Sequence, residues 1–405
     1  MIATIDFSDP VVRANPYPIY AELRRDAPVV WNGQSWLISC YEDVIGLLTD
    51  ERVSSARAES IFQVLPPEVQ SELQPLRHVL GSRMLLTDPP IHTRLRNLVT
   101  KAFSAQSVRA KRPRIQEICD RFVDQVIANG EMDVIADLAV PLPGWVIADM
   151  LGVPQADQAS FTRWSRDQVR VYDRPGTSGE RIPIMRQGQA SMLEMKAYLE
   201  EVIAPRRAAP RDDLITYLVQ AEEAGDRLST DELIIMIIAL LVGGNNSTAH
   251  LIGNAIFTLA RHPEALAQLR TNPDLIAIAV EEVLRFESPV QATSRVARDA
   301  IEIGGQTIEP GQGISLLFGS ANRDERQFPN PDEFDLARKP NRHLTFAHGP
   351  HFCLGSAIAR AEAQIAVQTV VQRCADLELV SGEAEWQEGF SFRGLKRLPV
   401  RFRAA

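Results

Sequence analysis

The sequence predicts a mainly α protein, helix-rich with a smaller β-sheet region, folded as one domain over residues 1–405. Three observations carry that prediction. Apolar residues recur at the spacing of a helix face in nine segments, whereas strand character is confined to two. The stretch Thr230–Arg261 runs on without proline behind a clear start signal. No repeat, low-complexity tract or long Gly/Ser/Pro linker divides the chain, and the proline-rich spots at 88–90 and 204–210 are short enough to be loops.

In chain order, helical periodicity marks Pro18–Arg25, Tyr41–Leu48, Thr93–Phe103, Lys111–Asn129 and Met192–Val202, then Thr230–Arg261, Pro263–Thr271, Leu275–Phe286 and Ser356–Cys374. The strand-like pieces are Val29–Ser39 and Thr293–Phe318, the second holding a hairpin with Gly304-Gly305 at its turn. A small sheet must therefore be assembled from distant segments. Ser229-Thr-Asp-Glu232 fits a capping box, in which the serine hydroxyl and the glutamate carboxylate satisfy exposed backbone amides. The helix that follows is apolar on all sides, as one passing through the middle of a protein must be. At its centre Gly243-Gly-Asn-Asn-Ser-Thr248 predicts a polar interruption that widens the helix for a ligand.

Composition narrows the function. With 43 Lys plus Arg against 52 Asp plus Glu, the net charge of −9 argues against a phosphate-backbone binder, so no nucleic-acid partner is expected. The N-terminal stretch carries acids and no basic region before an apolar core, which predicts a cytoplasmic protein without membrane attachment. The longest purely apolar run, Leu233–Val242, falls short of the roughly 20 residues of a span. Four cysteines (Cys40, Cys119, Cys353, Cys374) lack CxxC spacing and fit neither a disulfide framework nor a four-thiolate zinc site.

The most informative stretch is Phe346-Ala-His-Gly-Pro-His-Phe-Cys-Leu-Gly355, followed at once by a helical pattern. A cysteine just ahead of a helix N-terminus faces unpaired amides and the positive end of the helix dipole, and both favour the thiolate. Cys353 is thus a candidate anionic ligand. Gly349 and Gly355 let the backbone pass close to a flat partner. Two other readings stand beside it: an inert buried cysteine in a turn, and a zinc site built from His343, His348, His351 and Cys353.

Phe346, Gly349, Cys353 and Gly355 fit the pattern F-x-x-G-x-x-x-C-x-G, in which the chain resembles the cytochrome P-450 family. Other segments agree in type and order. Glu282-Val-Leu-Arg285 resembles the family's E-x-x-R pair, with Arg338 as its third member. Residues three apart share a helix face and allow a bidentate carboxylate–guanidinium contact. Asp88-Pro-Pro-Ile-His-Thr-Arg-Leu-Arg96 resembles the family's D-P-P-x-H-x-x-x-R helix start, and Asn15-Pro-Tyr-Pro-Ile-Tyr20 the opening helix of soluble bacterial members. The long central helix sits where the oxygen-binding helix belongs.

The resemblance implies the cytochrome P-450 fold and a haem-thiolate monooxygenase holding haem b (iron protoporphyrin IX). Cys353 would be the axial ligand of the iron, Phe346, Gly349 and Gly355 would shape the cofactor cradle, and His92, Arg96, Arg295 and His351 would bind the propionates. Buried carboxylates need charge-assisted donors of this kind. The implied reaction inserts oxygen from O2 into a mostly apolar small molecule, a secondary-metabolite intermediate or xenobiotic. Electrons would come from external NAD(P)H through a ferredoxin or flavodoxin and its reductase, with the protein a monomer. The basic residues Lys101, Arg109, Lys111, Arg112 and Arg114 are a candidate docking surface, or simply a solvated helix face.

The chain departs from the family in the central helix. Where the family places an acid beside an alcohol for proton delivery, Gly243 and Gly244 are followed by Asn245, Asn246 and Ser247, with Thr248 as a second hydroxyl. An amide cannot ionise, so Asn246 cannot relay a proton as a carboxylate does. That departure opens atypical chemistry as the alternative: coupling, desaturation, nitration, or the use of peroxide or NO. A non-enzymatic haem sensor is the third reading. His250, three residues past Ser247, would share its face if the helix were regular there. The substrate pocket is expected from Val290, Gln291, Thr293, Phe390 and Phe392, with further lining from the region Phe161–Met185, and with Arg83 or Arg170 as candidate partners for a substrate carboxylate.

Overall fold

The computed structural model describes residues 6, 7, 9–173, 178–223 and 226–405. Residues 174–177 of the Phe161–Met185 region lie outside the described residues, as do residues 1–5 and 8 of the N-terminal stretch. The chain is helix-rich with a small sheet region, as the sequence predicts, and it divides into two compact units. The first comprises 1–53, 109–142 and 247–405, and the second 54–108 and 143–246.

In the first unit the main sheet joins the two strand regions read from the sequence. Ser35–Ile38 lies antiparallel to Val29–Trp31 and parallel to Gly313–Leu316, which pairs antiparallel with Thr293–Ala297. Ile38, Val44, Ile314, Leu316 and Phe328 form its fully buried core. The hairpin Ile301–Ile303 with Gln306–Ile308 turns at Gly304-Gly305 as expected. A second sheet of Cys374–Leu379, Pro399–Ala404 and Glu131–Asp133 is not legible from the pattern. Its strands are short, and Cys374 opens one of them rather than closing the helix Ser356–Arg373.

The second unit is built from helices. His92 and Arg96 stand on Ile91–Thr100, and Gln158–Asp173 packs against Ser178–Ala208. Periodicity sees only Met192–Val202 of the latter, because Pro183 and Pro205 break the pattern without breaking the helix. Short helices such as Ala58–Gln63, Pro67–Glu72 and Gln74–Gly81 lie below the length at which periodicity is readable.

The central helix spans Thr230–Arg261, the bounds read from the sequence. Its capping box forms: Glu232 N donates to Ser229 Oγ at 3.2 Å and Ser229 N to Glu232 Oε2 at 2.8 Å. The expected interruption does not appear, because Gly243–Thr248 is α-helical throughout. Weak local propensity is overridden by the buried apolar turns on either side, Leu233–Val242 and Ala249–Ile252. The polar stretch shows instead as exposure, since Gly243 and Gly244 are open and Asn245–Ser247 half-buried, while Leu241, Val242 and Thr248 on either side are buried. This helix is long and apolar enough by composition to cross a membrane, but 61% of its most apolar window is buried inside the protein.

Candidate functional site

The cysteine loop belongs to the first unit. Ala347 N donates to Leu344 O at 2.7 Å, Phe352 N to Gly349 O at 3.0 Å and Cys353 N to Phe346 O at 2.8 Å, so the segment folds back on itself. Gly355 is the N-cap of the helix Ser356–Arg373. Cys353 therefore stands at the approach to that N-terminus, where the helix dipole favours negative charge. Gly349 has φ +70°, and a Cβ on it would come within 2.9 Å of Thr49 Cγ2 and 3.1 Å of the Leu48 carbonyl oxygen. Only glycine meets both demands at low cost.

Cys353 is half-buried, whereas Cys40, Cys119 and Cys374 are buried. Burial pushes the Cys119 thiol up to about 12 and the Cys374 thiol up to about 11, which suits inert core residues. His343 is committed elsewhere: its Nε2 lies 3.1 Å from Glu281 Oε2, and Arg360 forks onto the same carboxylate at 2.6 and 2.9 Å. Burial works to raise the Glu281 carboxyl, but the His343 and Arg360 bonds outweigh it and bring the group to about 2. The Arg360 guanidinium also covers the Phe346 ring at 4.4 Å. Among the described residues no group of three or more His, Cys, Asp or Glu side chains is placed to hold a metal ion, so the zinc reading has no site. The Glu281–His343–Arg360 cluster escaped the sequence, because its members are 62 and 79 residues apart.

Glu282 and Arg285 share a face of Ile276–Phe286 and are both fully buried. Arg285 Nε and Nη2 donate to Glu282 at 2.9 and 2.7 Å, Arg338 Nε donates to Glu282 Oε1 at 3.0 Å, and Asn341 Nδ2 to Oε2 at 3.1 Å. The remaining guanidinium donors reach backbone carbonyls, Arg285 those of Asn322, Pro331 and Glu333 and Arg338 those of Pro329 and Asn330. This network fixes the loops preceding the cysteine segment.

Arg295 is buried on the strand Thr293–Ala297, its Nη1 donating to Thr293 Oγ1 at 3.0 Å and Ser294 O at 2.8 Å. His351 is half-buried in the turn Gly349–His351. Val290 forms an isolated β-bridge with Phe392, and Gln291 N donates to Ser391 O at 2.8 Å, which brings the two expected substrate segments side by side. Two of the expected lining residues pack differently. Gln291 is buried, its side chain accepting from Tyr20 Oη at 3.1 Å and donating to Ser288 O at 2.8 Å. Phe390 stacks on Phe7 with ring centroids 4.3 Å apart, within an apolar cluster around Leu23 and Leu317.

In the second unit His92 is buried in the first turn of its helix, and Asp88, just ahead of it, is anchored by accepting from Ser55 N at 2.8 Å and from Ser54 Oγ. Burial, with the neighbouring Arg96 charge, lowers the His92 pKa against the opposing pull of Asp88, which favours the neutral imidazole. Asn245 Nδ2 donates to Ser165 Oγ at 3.3 Å. Cβ atoms built on Gly243 and Gly244 would meet nothing within 4 Å, so the helix faces open space there. Arg83 is buried with Nη2 donating to Gln168 Oε1 at 2.6 Å, while Arg170 is exposed. Of the basic residues, Arg112 donates to Gln364 at 3.0 Å and Arg114 pairs with Glu117 at 2.8 Å.

A half-buried thiol ahead of a helix N-terminus, in a loop whose turn admits only glycine, is the chemistry of a thiolate-ligated metal cofactor. The comparisons agree. The cytochrome P-450 family model matches residues 169–388. The biotin biosynthesis cytochrome P-450 of Bacillus subtilis is 39% identical over 395 residues, covering 96% of each chain. The 6-deoxyerythronolide B hydroxylase of Saccharopolyspora erythraea is 36% identical, covering 95% of each. The crystal structure of P450BioI in complex with hexadec-9Z-enoic acid ligated acyl carrier protein superposes with a TM-score of 0.89 at 38% identity, covering 97% of this chain and 99% of that one. The chain belongs to the cytochrome P-450 family. It is an oxidoreductase of the monooxygenase type, and the family's haem fits the residues present: the half-buried Cys353, ahead of a helix N-terminus, offers the soft sulfur donor that a haem iron takes.

Proposed function

We propose that this enzyme takes dioxygen, two electrons and two protons, transfers one oxygen atom to a mostly apolar small molecule and releases the other as water. The substrate class is a secondary-metabolite intermediate or xenobiotic. The observation that carries the reading is the placement of Cys353, the one cysteine that is not buried, at the start of Ser356–Arg373. When bound, haem b supplies oxygen activation, and a thiolate ligand favours cleavage of the bond between the oxygen atoms.

The chain's own residues divide the remaining work. The N-terminus of Ser356–Arg373 offers Cys353 a positive electrostatic environment in which to act as ligand. His92, Arg96, Arg295 and His351 would donate to the propionates, with Phe346, Gly349 and Gly355 shaping the cradle. Gly243 and Gly244 leave the central helix open at their own position. Ser247 Oγ and Thr248 Oγ1 pass protons, while Asn246 donates hydrogen bonds but holds no titratable proton. Val290, Thr293 and Phe392 contact substrate. Electrons arrive from NAD(P)H through a ferredoxin or flavodoxin with its reductase, for which Lys101, Arg109 and Lys111 offer positive charge. The enzyme works as a cytoplasmic monomer with a single catalytic domain. A neighbour solved with an acyl carrier protein makes a carrier-tethered substrate part of this reading.

A second reading is favoured by Asn246: hydrogen abstraction followed by coupling, desaturation or nitration without classical rebound, or oxidation driven by peroxide or NO, where the usual proton relay is not required. Isotope labelling separates the two. Turnover under labelled dioxygen must place one labelled atom in the product, and a product without label would replace monooxygenation by the second reading. The thiolate assignment is tested on the purified protein by its reduced, CO-bound spectrum, which Cys353→Ala should abolish. Survival of that spectrum in the variant would overturn the assignment.

A further inference from the structure

Beyond Ser247, the same face of the central helix carries His250 and Asn254. Both meet the C-terminal turn. Asn254 Nδ2 donates to Arg393 O and to Glu287 O, each at 3.0 Å. His250 is buried, its ring 6.4 Å from that of Phe392, and a Cβ built on Gly394 would overlap its Nδ1, Cγ and Cε1 atoms. Gly394 is thus pressed flat against the imidazole. The turn is in turn stitched to the segment before the strand Thr293–Ala297 by the Val290–Phe392 bridge and by Arg393 N donating to Pro289 O at 3.0 Å. Burial brings the His250 pKa down to about 4 with no charged group contributing, so the ring packs as an uncharged wedge at neutral pH.

We propose that His250 is a positioning residue for substrate selection: through its contact with Gly394 it sets how far the turn carrying Phe392 stands from Ser247. This rests on the reading of Val290 and Phe392 as substrate contacts. A methyl-sized displacement in an apolar pocket is worth tenfold or more in discrimination, so the contact sets which molecules fit.

The test uses the haem-loaded protein and two azoles that bind ferric haem, compact imidazole and bulky phenylimidazole, with equilibrium affinities read from the Soret band. Gly394→Ala should change the ratio of the two affinities by on the order of tenfold, and His250→Ala added to it should bring the ratio back to within about threefold of wild type. An unchanged ratio, or a change the second substitution leaves in place, would overturn the proposal. If Gly394→Ala does not fold, His250→Ala alone must shift the ratio, and no shift overturns it equally. Phe392→Ala is the control on the underlying reading. If it leaves the ratio unmoved, the turn does not face the ligand; if it moves the ratio and Gly394→Ala does not, the positioning role alone is lost.

Discussion

Glu282→Gln isolates what the buried ion network contributes to stability. The carboxylate accepts from Arg285 twice, from Arg338, from Asn341 and from Asp335 N at 3.0 Å, with no exposure to solvent. Burial pushes the Arg285 guanidinium down, and the Glu282 hydrogen bond draws it back up. The amide keeps the volume but removes the one negative charge shared by two buried cations, and it sets an NH2 against a guanidinium donor. Removing one partner of a buried pair costs about 3–5 kcal/mol, because the other charge stays desolvated. Two cations sharing one anion place the expectation at the upper end of that range. Set against a total stability of about 5–15 kcal/mol, the variant loses a large fraction. Urea unfolding followed by far-UV circular dichroism should show the midpoint falling by about 1 M or more at unchanged slope. Asp376→Asn, which breaks the exposed Arg403–Asp376 pair, should cost less than about 1 kcal/mol in the same assay. A loss for Glu282→Gln no larger than that of the surface control would refute the reasoning.

Gly349→Ala combines a left-handed backbone with overlap on Thr49 and Leu48, so it should destabilise by about 1–3 kcal/mol and lower the haem content of the purified protein, checked by melting and by the Soret-to-protein absorbance ratio. Glu362 is buried in Ser356–Arg373, and burial raises its carboxyl from 4.5 to about 8. The folded state then holds the proton more tightly than the unfolded one. Its contribution to stability is fully present below pH 4.5 and is lost as pH rises through 8, so Glu362→Gln should flatten the pH dependence and raise stability by a few kcal/mol at pH 8–9, read by urea unfolding across that range. Asn246→Asp restores a titratable group beside Ser247. If proton supply limits turnover, the variant should convert a larger share of consumed NAD(P)H into product, and an unchanged or smaller share would give the amide a purpose of its own.

What could be read in advance follows from the length scale of each signal. The central helix was legible to its ends because its start is a local capping box and its body a long apolar run. The cysteine loop was legible because its donors and glycines lie within ten residues. The sheet of Cys374–Leu379 with Pro399–Ala404 and Glu131–Asp133 was not, since its register is bulged and joins segments far apart in the chain, one of them only three residues long. The helical continuity of Gly243–Thr248 was hidden too, because propensity is a local quantity and the packing that overrides it is not. Gln291 and Phe390 illustrate the same limit: their contacts with Tyr20 and Phe7, far away in sequence, bury Gln291 and half-bury Phe390, which no local pattern could announce.

The choice among the four cysteines shows how fold completes a motif. Sequence marks Cys353 by the glycines around it and the helix behind it, but a buried thiol in the same turn would satisfy that pattern and be chemically inert. A metal ligand must be deprotonated, which burial in apolar surroundings opposes and a helix N-terminus favours. Cys119 and Cys374 lie on the unfavourable side of that balance, their thiols held near 12 and 11, and Cys40 is raised by burial as well. Cys353 is the member of the set that has both a helix N-terminus ahead of it and an open face. The hydrogen bond from its own amide to Phe346 O leaves the sulfur as the group the loop presents. Exposure already singles out Cys353 among the four, and the helix N-terminus behind it points the same way, so two independent physical criteria converge on the residue proposed as the ligand.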